Sequence, residues 1–399
     1  MSRPDVTLVA PYPPYGLRHA GSSGVASYTA NLARALVHEG ALVTVLAPEH
    51  PGEARLTHDG EVSVVRCYRS GPSALPLAAR AAAATGARTA HIQHELFLYG
   101  GLSALPGLGF GLQRLGLSPS RTVLTMHQVV DPRVIDTSYL AMHRIHAPVP
   151  LARVGLRVLQ RGLVRAVDAT IVHELPFTRI LPGTTLIPHG VERVRPMKRD
   201  QARAHLGLSS DRFVVLCFGF LAPYKGLELA LEAGELAGEE VLVVVAGGDH
   251  PRLASREPYA EQLRQRWGGS ARFTGHVPEG EIGHWHAAAD VALLCYPAPH
   301  ASSGALALAI AHGTPFLLSP GLAECVGAPP EATVHLDAAA IAGRLKELAG
   351  DRDTRVALGR HSQRAGEDRS WPSVARRHLN LYEETARAHR LAGRRFRTA

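Results

Sequence analysis

The chain predicts an α/β protein of two Rossmann-like, doubly wound domains facing a cleft. Three observations lead there. Its 399 residues are more than one ordinary hydrophobic core holds. Short β-branched apolar runs alternate with helical periods along the whole chain, as they do in parallel sheets wound with helices. Beyond Pro196 the alternation restarts, and the run FVVLCF from Phe213 opens a second unit.

The first unit begins with the strand VTLVA, which ends at the loop PYPPYGLRHAGSSG. A helix, SYTANLARALVHEG, follows and is closed by Gly40 before the strand ALVTVLAP. Gly21-Ser22-Ser23-Gly24 thus lies at a helix N-terminus, where free N–H groups and the helix dipole favour an anion. Next come the strand VSVVRCY, an alanine-rich helix near 76–87, the strand AHIQHE, and the strand RTVLTMH ending at His127. The stretch Leu96–Leu117 is long and apolar for a connection, which marks it as an acceptor lid or a membrane contact. From Ala141 to Asp168 the period is helical, and Arg153, Arg157, Arg161 and Arg165 form one basic stripe, expected to face solvent. The strands ATIVHE and TLIPHGV complete this half.

The second unit opens on Phe213–Leu227, FVVLCFGFLAPYKGL, a strand buried on both faces that Gly219 breaks. The chain passes through Pro223 to Lys225-Gly226 and a helix, the place where α/β folds bind phosphate. Of 43 basic residues only Lys198, Lys225 and Lys346 are lysine, and a flexible point charge suits a departing diphosphate. VLVVVAGG, RFTGHV, DVALLCYP and PFLLSP are the remaining strands, with helices between them and the loop APHASSG ahead of ALALAIAHG. Helices at 338–350 and 352–365 follow, and a last amphipathic helix runs from Trp371 to about Arg390.

Composition narrows the classes. Hydrophobic residues at 46% and charged residues at 20% describe a soluble globular chain. A net charge of +8 and a pI near 9.6 suit an anionic ligand or an acidic membrane. Aromatic residues, at 6%, are too sparse for a single-strand nucleic-acid binder, so no nucleic-acid partner is expected. Cys67, Cys217, Cys295 and Cys325 are far apart, without metal spacing, and read as reduced thiols of a cytoplasmic, at most membrane-peripheral, protein. VTLVA is too short for a secretory leader, and no apolar run approaches the roughly 18 residues of a membrane span. His91, His94 and Glu95 sit on one strand edge without a partner at ligand spacing, so no metal is assigned to them.

Several stretches together resemble one family, the retaining glycosyltransferases of the GT-B fold, family GT4. They are FGFLAPYKGLELALEA, VVVAGGDHP, RFTGHVPEGEIGHWHAAADVALLCYP, SSGALALAIAHGTPFLLSPGLAECV and, earlier, PYPPYGLRHAGSSGVASYTANLARAL, HIQHELFLYGG, TVLTMH and TLIPHGV. The chain looks like the branch of that family whose members carry QHE followed by a glycine pair, and SSG before the nucleotide-side helix. The resemblance implies a nucleotide-diphosphate sugar as donor, no cofactor and no metal. It implies that Lys225 contacts the donor diphosphate, that Gly24 and Gly219 lie against the phosphates, and that His127 lines the reacting sugar. Ser302, Ser303 and Gly304 would meet sugar and phosphate, and Val277 would cup the base through its backbone. It also implies that the last helix returns to the first domain, giving domains of 1–190 plus 372–399 and of 197–371.

This sequence departs from the family in three places. Phe220 stands where many members carry an arginine, and His300 and Leu308 stand where many carry two glutamates. Glu324 is the candidate substitute for hydroxyl binding, and Arg18 for the missing arginine. Arg18, Ser23 and Glu95 are placed on the side of an unidentified acceptor, a glycan, lipid or small metabolite. Two other readings stay open: a nucleotide-sugar 2-epimerase of similar architecture, and a non-catalytic basic protein that binds membrane or nucleic acid. The first wants acidic and histidine residues converging on a sugar. The second wants steeply salt-dependent binding and no nucleotide-sugar turnover.

Overall fold

The computed structural model describes residues 3–17, 24–142, 145–192, 194–249, 259–297 and 303–395, and the expectations for Arg18, Ser23, His300 and Ser302 lie outside them. The chain divides into two compact units. One holds the described residues up to Gly190 together with the last helix from Trp371, and the other holds those from Val191 to Ser370.

The strands of the first unit are β1 (Val6–Val9), β2 (Val43–Pro48), β3 (Leu56–Asp59), β4 (Val62–Tyr68), β5 (Thr89–His94), β6 (Arg121–Met126), β7 (Ala169–Val172) and β8 (Thr185–Leu186). They form one sheet in the order β3-β4-β2-β1-β5-β6-β7-β8, parallel except for the β3–β4 hairpin. The helices are α1 (Gly24–His38), α2 (Ala74–Thr85), α3 (Leu105–Gly116), α4 (Thr137–Met142), α5 (Val149–Arg165) and α6 (Leu175–Ile180).

Alternation along each strand divides the apolar residues between two faces. Val6, Leu8, Val43, Val45, Val123 and Ile171 face α1, through Tyr28, Leu32 and Leu36. Val9, Leu46, Ile92, Leu124 and Val172 face α2 and α3, through Leu75, Ala79, Leu108 and Leu112. Each such side chain, fully buried, contributes about 1.5–3 kcal/mol.

Three elements differ from the sequence expectation. Hairpin strand β3 carries no apolar period, because its residues are half or fully exposed. The arginine-bearing helix begins at Val149 rather than Ala141, since Pro148 caps it and α4 is separate. Within Leu96–Leu117 lies a core helix rather than a lid: α3 buries Leu108, Leu112 and Leu115 against α2. Its glycines permit that contact, for a β-carbon on Gly107 would collide with the Pro72 carbonyl, and one on Gly111 would crowd Leu75 at 3.1 Å.

The second unit holds β9 (Phe213–Phe218), β10 (Val241–Ala246), β11 (Arg272–Gly275), β12 (Val291–Leu294) and β13 (Phe316–Leu318), all parallel, in the order β11-β10-β9-β12-β13. Its helices are α7 (Arg199–Leu206), α8 (Leu227–Ala237), α9 (Tyr259–Trp267), α10 (Ile282–Ala288), α11 (Gly304–Ala311), α12 (Pro320–Val326), α13 (Ala338–Gly350) and α14 (Arg352–Asp368). α7 joins this unit through one buried arginine. Arg203 gives its guanidinium to the carbonyls of Ala288, Ser209, Ser210 and Arg212 and, at 2.6 Å, to Asp290. The same Asp290 oxygen accepts the Val214 N–H at 2.7 Å, so one ion pair fixes the start of β9 and β12.

The last helix, α15 (Trp371–Arg395), packs on the first unit. Val374, Ala375, Leu381 and Tyr382 bury against the α1 face of the sheet. Trp371 sits against Tyr28, and Gly190 lets it, since a β-carbon there would meet the indole at 2.5 Å.

Candidate functional site

In the second unit the strand order reverses between β9 and β12, and a crevice at their carboxyl ends is where such sheets bind ligands. Lys225 lies there. Its residue is only 8% exposed, and its ammonium donates to the Phe218 carbonyl at 3.4 Å and stands 5.9 Å over the Tyr296 ring. No carboxylate among the described residues pairs with it, and burial pulls its pKa down to about 8. A cation kept in a dry, uncompensated position is costly unless an anion arrives.

Glycines shape the space around it. Gly219, at φ +106°, has Lys225 Nζ where a β-carbon would go. Gly226, at φ +62°, presses on the Cys295 carbonyl, and Gly247 on that of Gly219. Ala305, in the first turn of α11, would lie 3.8 Å from that same Gly219 β-carbon. The N-terminal end of α11 therefore faces the lysine, with Ser303 as its N-cap accepting from the Leu306 N–H at 3.2 Å. Ser303 Oγ also donates to the Tyr296 hydroxyl at 3.3 Å.

Gly219, Lys225, Ser303 and Gly304 are thus brought together at one sheet edge, with Tyr296, Gly226 and Gly247 in addition. The segment holding Val277 joins this edge through a Gly247–Gly275 bridge, while the Val277 side chain is core. Glu324 is carried by α12 beyond β13, two strands from β9, and is half-buried.

In the first unit the carboxyl edge gathers rings. His127, after β6, packs 4.6 Å from Tyr28 and 4.9 Å from His173, and Tyr28 also touches His189 and Trp371. His127 Nε2 donates to Gln93 Oε1 at 2.7 Å. The Gln93 amide nitrogen turns to His91 Nε2 at 3.4 Å, which also accepts from Thr125 at 2.7 Å, and His91 Nδ1 donates to the Tyr382 hydroxyl at 2.6 Å. Since an amide oxygen only accepts, the bond to Gln93 places the His127 proton on Nε2. Burial, helped by His173, His189, His91 and His94, holds the His127 pKa well below its usual value, so this imidazole is neutral at pH 7.

Gly24 opens α1 one turn before Tyr28, and a side chain there would meet nothing within 4 Å. Glu95 follows β5, half-buried. The loop after β1 is pinned by residues that sequence reasoning passed over. Buried Arg66 donates to the Tyr12 and Pro13 carbonyls at 3.1 and 2.8 Å and pairs with Glu53 at 2.7 Å, while Glu53 accepts the Tyr15 N–H. An arginine inside the run VSVVRCY was the available signal, since a buried charge needs partners.

Comparison with known proteins supports the fold. No protein-family model matches the chain. It is similar to the D-inositol 3-phosphate glycosyltransferase of Streptomyces avermitilis, 31% identical over 230 residues, covering 52% of this chain and 47% of that one. The enzyme of the same name from Thermobispora bispora is 27% identical over 306 residues, covering 70% and 68%. The chain spans about half the length of the first curated relatives it matches. Among solved structures, sucrose-phosphate synthase from Thermosynechococcus elongatus superposes with a TM-score of 0.73 at 21% identity, covering 97% of this chain and 100% of that one. Anabaena HepE, solved with UDP-glucose, gives 0.65 at 15% identity, covering 95% and 99%. The architecture is the GT-B fold, two Rossmann-like domains with parallel sheets.

Proposed function

We propose that the chain is a retaining glycosyltransferase of the GT4 kind that moves a hexosyl-type sugar from a nucleotide-diphosphate donor to a glycan, lipid or small-metabolite acceptor. The observation that carries this is Lys225, a buried ammonium with no carboxylate partner among the described residues, facing the first turn of α11 at the β9/β12 switch point. Such a site stabilises charge that develops on a leaving diphosphate, and its dryness strengthens the effect. Relatives named as glycosyltransferases, and a structural neighbour solved with UDP and with UDP-glucose, support the reading.

Lys225 and the α11 N–H groups supply the charge that a divalent ion would otherwise bring, so transfer needs no metal. In same-face transfer the bond from the anomeric carbon to the diphosphate oxygen breaks as the acceptor oxygen bonds to that carbon. The acceptor proton leaves with the diphosphate. Neutral His127 orients sugar hydroxyls rather than compensating charge. The epimerase reading finds no converging carboxylates beside Lys225 among the described residues.

On the first unit, α5 exposes Leu151, Val154 and Val158 beside Arg153, Arg157, Arg161 and Arg165. That face suits an anionic membrane surface and an acceptor presented there. No helix among the described residues is long and apolar enough to cross a membrane. The test is nucleotide release from UDP-, GDP-, ADP- and dTDP-sugars in EDTA, with the anomeric configuration of any product read by NMR. Turnover that survives chelation and keeps the donor's configuration fits the proposal, whereas inversion or loss of turnover in EDTA rejects it.

A further inference from the structure

Three metal-ligating side chains that the proposed transfer does not use converge in the second unit. His205 lies in the last turn of α7, and Glu281 and His284, an E-x-x-H pair, lie at the start of α10. Spacing of three residues puts the second pair on one helix face. Their ligand atoms all lie within 4.8 Å of one another. His205 Nε2 is 2.9 Å from Glu281 Oε2, and His284 Nδ1 is 3.6 Å from the same oxygen. A metal with bonds of about 2.0–2.2 Å needs its donor atoms roughly 3 Å apart, which those separations bracket.

The His284 side chain is 24% exposed, yet its Nδ1, turned to Glu281, is shielded from solvent and makes no hydrogen bond among the described residues. The two rings stack at 4.1 Å with 24° between planes, so both are already gathered over one carboxylate. For both nitrogens to aim at one ion, His205 must turn about χ2, which its 49% exposed side chain allows.

We propose that His205, Glu281 and His284 bind one divalent transition-metal ion, with Zn²⁺ the first choice and water completing the coordination. Two imidazoles and one carboxylate suit Zn²⁺, Co²⁺ or Ni²⁺ and fit Mg²⁺ or Ca²⁺ poorly, since those prefer all-oxygen sites. The ion would tie α7 to α10. α7 carries Arg203, which clamps Asp290 at the head of β12, so ligation braces the frame beneath β9 and β12. The role is structural and independent of the donor chemistry.

The test uses the full chain, free of tags and stripped of metal, titrated with ZnCl₂ and CoCl₂ by calorimetry and visible absorption. The chain has 22 histidines, so stoichiometry decides. One saturable site is expected, with a Co²⁺ d–d band and a raised melting temperature. His284→Ala and Glu281→Gln should each weaken it at least about tenfold. The proposal is overturned by the lack of a saturable one-to-one site in the wild type. It is equally overturned if His205→Ala/His284→Ala binds as tightly as the wild type. Should the alanine variants fail to fold, the wild-type titration and Glu281→Gln still decide.

Discussion

The ammonium of Lys225 occupies the position that a β-carbon on Gly219 would need. Strand end and lysine are therefore fitted to each other, and either can be broken alone. Lys225→Ala should keep the fold and lose about 2–4 kcal/mol of transition-state stabilisation, read as a fall in kcat/KM. Gly219→Ala should fall comparably by displacing the ammonium, with added strain from its φ of +106°. Near wild-type kcat/KM in both variants would remove this edge from the donor site.

The lysine also sets a pH limit. Its pKa in the free protein is pulled down to about 8 by burial, so the ammonium is lost as pH rises past that value. Donor kcat/KM should decline above pH about 8, whereas kcat should hold to higher pH because a bound diphosphate raises the pKa. The stability sign is opposite. Between about 8 and the usual lysine value the unfolded chain binds the extra proton, so the lysine's contribution to stability improves with pH there. Lys225→Met should flatten that limb in a pH series of unfolding measurements.

Asp290 is held by Arg203 and Arg199 and by the Val214 N–H. Asp290→Ala strands a buried guanidinium, and such a break costs about 3–5 kcal/mol. Denaturant unfolding should show that loss, and a change below about 1 kcal/mol would mean that water replaces the carboxylate.

Removal of the chain from Trp371 uncovers Tyr28 and the α1 face, and takes the Tyr382 partner from His91. A variant ending at Ser370 should melt at lower temperature and turn over poorly. Unchanged melting and turnover would make α15 a dispensable appendage.

The α5 face gives a binding prediction. Vesicles containing anionic lipid should sediment the protein at low salt, and neutral vesicles should not. Replacing Arg157, Arg161 and Arg165 by glutamine should abolish the difference. Equal recovery with both lipids would remove the membrane contact.

The frame was legible because burial on both faces writes itself as unbroken β-branched runs, as in Val214–Val215 and Val243–Val245. The place of Lys225 at the end of β9 was legible because this scarce lysine follows a strand and a glycine. Tyr296 and Gly247 were not, since each matters through a neighbour remote in sequence, Lys225 and Gly219 respectively. Helix α3 was hidden by glycines that read as loop, of which Gly107 and Gly111 serve close helix packing. The network from Tyr382 through His91 and Gln93 to His127 spans 291 positions in its first bond, beyond any local pattern.

The central claim is that Lys225 holds the diphosphate of a nucleotide sugar. The most direct measurement is calorimetric titration of UDP, GDP, ADP and dTDP and their sugars into wild type and Lys225→Ala. One nucleotide series should bind the wild type, and the alanine variant should bind it at least tenfold more weakly, which is about 1.4 kcal/mol. Equal affinity in both proteins, or no binding of any series to the wild type, would contradict the account.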